Sequence, residues 1–112
     1  GRFLATVPVI EGWNGRDGRL GERGPFQFRR ITWRQHMPGV SFALARDPVT
    51  ARVCAVRHLA WLRRELRRAG IDDNAFNCAL AWNAGLDRVL SGRAPLAAYD
   101  YATRFQNLYL SR

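Results

Sequence analysis

Between Asp47-Pro48 and Gly70 the chain keeps one apolar stripe, Ala51, Ala55, Leu59, Leu62 and Leu66, while Arg57, Arg63, Arg64, Arg67 and Arg68 take the other faces. Residues recurring at three- and four-residue intervals share one side of a 3.6-residue helix. Asp47 supplies an N-cap acceptor, and Pro48 sits in the first turn, where a missing N–H costs nothing. Gly70 closes the helix as a C-cap. This is the clearest element in the chain, and no other segment reads as a strand ladder, so the expected fold is mainly α.

Weaker signals extend the same pattern. Asp72-Asp73-Asn74 caps an expected helix over 75–84 that ends at Gly85. A final helix over about 96–109 stacks Ala98, Tyr101, Ala102, Phe105, Leu108 and Tyr109. Near the start, Phe3, Val7 and Ile10 recur at helical spacing; Pro8 predicts either a kink or a helix that begins near Thr6. Residues 26–36 read as a short amphipathic segment around Phe28, Ile31 and Trp33. No repeats or linkers divide the sequence, so residues 1–112 are expected to form a single domain.

A hydrophobic content of 47% with four Trp excludes a disordered tail. No apolar run approaches the roughly 20 residues of a membrane span. The net charge is +9, and all 18 basic residues are Arg. Arginine-only usage is read as a GC-rich coding bias. The charge itself favours an anionic partner: nucleic acid, an acidic membrane surface or an acidic wall polymer. His36 and His58 have no acidic or Cys partner at ligand spacing, so neither a metal nor a cofactor is expected. Cys54 and Cys78 read as small buried hydrophobes, with a bridge between neighbouring helices as the alternative. The first residues, Gly1-Arg2-Phe3-Leu4, lack the charged and apolar regions of a signal peptide.

Glu11 carries the chemistry. It closes the apolar stretch Val9-Ile10 beside Val7 and Leu4, and five glycines follow between residues 12 and 24. A carboxyl group held against apolar surface keeps its proton to higher pH, as a general acid working near neutrality must. A loop so rich in glycine is costly to order, which points to close backbone approach or a binding wall.

The order of motifs resembles the soluble lytic transglycosylase and goose-type lysozyme family. Gly21-Glu22-Arg23-Gly24-Pro25-Phe26-Gln27 fills the place of a "GAxGLMQ" element after the acid. Leu80-Ala81-Trp82-Asn83-Ala84-Gly85 matches "AAYNAG", and Tyr101-Ala102-Thr103-Arg104-Phe105 echoes "ETxxYVxRV". The likeness runs from about residue 3 to 109 and implies a lysozyme-like fold with a glycine-rich irregular loop after the first helix. It implies Glu11 as catalytic acid, Gln27 lining a sugar groove beside the Gly24-Pro25-Phe26 turn, Asn83 at the groove floor and Tyr101 near the acid. Two positions depart from the family: Gly12 stands where Ser usually follows the acid, and Gly18 where a Ser often contacts the sugar N-acetyl group. The loop is also about two residues shorter.

The resemblance implies cleavage of the bond between N-acetylmuramic acid and N-acetylglucosamine by one Glu. That carboxyl first protonates the glycosidic oxygen and then activates the muramyl 6-hydroxyl, giving a 1,6-anhydro product. Were Asp17 or Glu22 to position a water, hydrolysis would result. A non-catalytic wall-binding protein of the same fold and an Arg-rich nucleic-acid-binding module are the competing readings. The helix ending Arg63-Arg64-Glu65-Leu66-Arg67-Arg68 suits phosphates but offers little to read bases, so nucleic acid is not the expected partner. The expected setting is the periplasm or cell envelope. The protein is expected to act as a monomer on peptidoglycan, with a secretion machine or phage assembly as a further possible partner.

Overall fold

The computed structural model describes residues 1–111. Among them the chain is all-α. The α-helices are α1 (Arg2–Glu11), α2 (Arg30–His36), α3 (Pro48–Arg68), α4 (Ala75–Ala84), α5 (Leu86–Leu90) and α6 (Leu96–Leu110), with a 3-10 helix at Phe42–Arg46. The sole strand-like feature among the described residues is an isolated antiparallel bridge, Arg23 to Phe28. No described helix is long and apolar enough to cross a membrane.

The chain divides into two compact units, one of Phe3–His58 with Gly1, the other of Leu59 onward with Arg2. The boundary falls inside α3, whose local chemistry is as the sequence predicts. Asp47 Oδ2 accepts from the Thr50 amide at 2.9 Å and from the Thr50 hydroxyl at 2.6 Å, capping the first turn. Gly70, at φ +75°, ends the helix, and the Ile71 amide returns to the Leu66 carbonyl at 2.9 Å. Ala51, Ala55, Leu62 and Leu66 are fully buried.

An aromatic cluster fills the first unit. Phe26 stacks on Phe28 with centroids 5.8 Å apart, and Trp33 lies 6.0 Å from Phe28 and 6.2 Å from Phe42. The Trp33 indole N–H is satisfied by the Val40 carbonyl at 3.0 Å. Beside this cluster, His36 Nε2 lies 2.9 Å from His58 Nδ1, one ring donating to the other. Burial, and next the charge of His36, push the His58 pKa down to about 3. The Arg57 guanidinium donates to the His36 carbonyl at 2.8 Å.

In the second unit α4 packs along α6. Asn74 caps α4 by accepting the Asn77 amide at 2.8 Å, and Gly85 closes it. Cys78, Ala79, Leu80 and Ala81 of α4 are buried, as are Ala98, Tyr101, Ala102 and Phe105 of α6. Asp73 accepts from Arg63 at 3.0 Å and lies 3.3 Å from Arg67, and the Arg63 bond, chiefly, holds its carboxyl below the usual range. Part of the basic face of α3 is therefore neutralised within the fold.

Two expectations change. Pro8 does not start the helix: α1 begins at Arg2 and carries Pro8 inside it. Ile31 does not join Phe28 and Trp33 on a buried face; α2 starts only at Arg30, and Ile31 is 77% exposed. Cys54 and Cys78 keep their first reading: both are free and buried, and no bridge joins them.

Candidate active site

Glu11 is the last residue of α1 and is half-buried, with Leu4 and Val7 of the same helix fully covered. Gly12 takes a left-handed conformation, φ 61° and ψ 36°, and its amide returns to the Pro8 carbonyl at 3.0 Å. A side chain at that position would be strained, which gives Gly12 a local reason to stand where a serine might.

The loop that follows is fastened at two places. Arg46, at the end of the 3-10 helix, grips Asp17 with both sides of its guanidinium, Nε to Oδ1 at 3.0 Å and Nη2 to Oδ2 at 2.6 Å. Arg23 adds a looser ion pair at 3.8 Å, and its guanidinium lies 4.4 Å from the Phe42 ring centre. The Arg46 hydrogen bond is the main cause that lowers the Asp17 carboxyl. Asp17 is therefore a structural anchor.

The second fastening is the turn Gly24-Pro25-Phe26-Gln27. The Arg23 and Phe28 backbones exchange two bonds of 3.0 Å across its base. The Gly24 carbonyl accepts both the Gln27 amide at 3.0 Å and the Gln27 Nε2 at 2.9 Å. Gln27 is the one non-glycine among the described residues at positive φ, +53°. Such a backbone costs about 1–2 kcal/mol for a residue with a Cβ and clusters at functional positions. Gly24 must be glycine: a Cβ there would run into the Ala45 carbonyl.

Glu22 contrasts with Asp17. Among the described residues it forms no ion pair, and its Oε1 is buried without a hydrogen-bond partner. The other such atom among the described residues is Trp13 Nε1, in the same loop. Native proteins rarely leave such groups orphaned. Both therefore sit in the segment that begins directly after Glu11. The sequence offers Glu22, with Asp17, as a group that could position a water; nothing in the spacing of Trp13 and Glu22 reveals that each carries an atom without a bond.

The remaining expected residues have distinct settings. The Phe26 ring is 5% exposed and belongs to the aromatic cluster. Asn83 is exposed near the end of α4, and Tyr101 is buried in α6, stacked on Phe105 at 6.3 Å. Glu11, Phe26 and Gln27 belong to the first unit, Asn83 and Tyr101 to the second. No group of three His, Cys, Asp or Glu side chains among the described residues is placed to hold a metal. Comparison with protein-family models, curated proteins and solved structures finds no match to the chain.

Proposed function

We propose that the chain is a lysozyme-like, peptidoglycan-cleaving domain that acts as a lytic transglycosylase with Glu11 as its single acid–base. One observation carries this reading. The loop issuing from Glu11 concentrates the strained Gln27 backbone and the two orphaned polar atoms, the features expected where a polar ligand completes a site.

In this reading the Glu11 carboxyl protonates the glycosidic oxygen between N-acetylmuramic acid and N-acetylglucosamine. The substrate's acetamido group stabilises the oxocarbenium-like centre. The Glu11 carboxylate then takes the proton of the muramyl 6-hydroxyl as that oxygen closes on C1, so no water is consumed. Asp17 is committed to Arg46 and is not the group that would direct a water. The Gln27 side chain, pinned by Gly24, lines the sugar path. Asn83 and Tyr101 are assigned to substrate by the resemblance alone; both belong to the second unit, Asn83 exposed and Tyr101 buried. The proposed setting is the cell envelope, where the +9 charge suits an anionic wall.

Digestion of purified peptidoglycan with mass analysis tests the proposal. Anhydro-muropeptides released by wild type and lost in Glu11→Gln are expected. Reducing-end products would make it a hydrolase instead, and no release by wild type would sink the enzymatic reading.

A further inference from the structure

Arg23 and Arg30 meet at one aromatic ring. Their guanidinium groups lie 4.4 and 5.0 Å from the centre of Phe42, which is buried and packed 6.2 Å from Trp33. Two cations held over one ring repel each other unless a negative charge answers them. Asp17 is the acid that reaches this pair, and it gives both oxygens to Arg46, leaving Arg23 at 3.8 Å. Glu22 is folded onto Gly18, and Arg30 forms no ion pair among the described residues.

The pair is also held in place before any ligand arrives. The Arg23 backbone is fixed by its two 3.0 Å bonds with Phe28. Arg30 opens α2, and Phe42 opens the 3-10 helix, whose first turn is capped by Ser41 accepting the Ala43 amide at 3.2 Å. A guanidinium over a ring face spends no N–H donor on it, so its planar fork stays available. That fork matches the paired oxygens of a carboxylate or phosphate. Arg30 is exposed and Arg23 half-buried, so solutes reach both.

We propose that Arg23 and Arg30, backed by Phe42, form an oxyanion site. Two wall components carry this chemistry, the terminal carboxylate of a peptide stem and the phosphate of a wall polymer. Naming either as the ligand rests on the peptidoglycan reading.

The test follows the arginine Nε–H signals of the wild-type protein by nitrogen-15 NMR at fixed ionic strength, which holds general screening constant. The probes are acetyl-alanyl-alanine, its C-terminal amide and inorganic phosphate. At least one of the two oxyanions is expected to shift Arg23 and Arg30 saturably, binding about tenfold or more tighter than the amide. The tighter oxyanion identifies the source. Arg30→Gln, checked for an unchanged thermal melt, is expected to weaken that binding about tenfold, and Arg30→Lys, which keeps the charge without the fork, by less. Arg64→Gln removes the same charge from another exposed arginine and is expected to change little. No saturable shift with either oxyanion, an amide that binds as well, or equal weakening in Arg64→Gln and Arg30→Gln would overturn the inference. None of these measurements involves turnover, so anhydro-muropeptide release by wild type, lost in Glu11→Gln, judges the parent reading separately.

Discussion

Arg46 holds Asp17 by two parallel hydrogen bonds, 3.0 and 2.6 Å long, across a separation of 29 residues. This clamp fixes the middle of a loop that otherwise consists largely of glycine and exposed polar side chains. Either Arg46→Ala or Asp17→Ala should free the loop while the helices persist. The expected signature is faster amide exchange at Gly18 and Gly21, with unchanged protection in α3. If the loop shapes the sugar path, kcat/KM for peptidoglycan should fall on the order of tenfold or more in the same variants. Equal exchange in variant and wild type would remove the clamp from the account.

His58 supplies a pH dependence. Its folded pKa is depressed to about 3 from an ordinary 6.5, so the unfolded chain binds the proton first. The stabilisation is complete above about 6.5 and is lost as pH falls toward 3, by at most about 1.4 kcal/mol per pH unit. Denaturant midpoints should therefore drop between pH 6.5 and 4.5, above the range in which Asp17 and Asp73 titrate. His58→Phe should flatten that slope. A wild-type profile that is already flat there would contradict the depressed value.

Two glycines with the same backbone angle should respond differently to alanine. Gly24 and Gly39 lie at φ +78° and +79°, but only at Gly24 would a Cβ meet a backbone carbonyl, that of Ala45. Gly39→Ala should cost about 1 kcal/mol, the strain alone. Gly24→Ala should cost roughly 2–4 kcal/mol, because backbone must move as well. Urea titration of both variants measures the difference, and similar losses would argue against the close approach.

The thiols should be inert in the folded protein. Burial is the main cause that pushes Cys54 up to about 12 and Cys78 up to about 11, so little thiolate exists at neutral pH. Ellman's reagent should react slowly with native protein and count two thiols after denaturation. A count of zero in the denatured, unreduced protein would reveal a bridge.

What the sequence made legible was local. Asp47 with Pro48, Asn74, Gly70 and Gly85 mark helix ends through bonds spanning a few residues, and the structure uses each in its expected role. The 3-10 helix and α5 have five residues each, too short for a periodic stripe to emerge. Ile31 misled because its spacing from Phe28 and Trp33 assumes a helix that begins before Arg30. Within the candidate site, Glu11 and its loop were visible from composition and motif order. The division of labour between Asp17 and Glu22 was not, since it depends on Arg46 arriving from a later element and on the Glu22 side chain folding onto Gly18.

Gln27 also indicates what selection has acted on. Glycine there would relieve the left-handed backbone by about 1 kcal/mol. A screen for heat resistance alone should therefore drift toward Gln27→Gly, while a screen for growth that depends on wall cleavage should hold the glutamine. The position works as a gauge: the residue that a population keeps at 27 tells whether folding or chemistry set the limit.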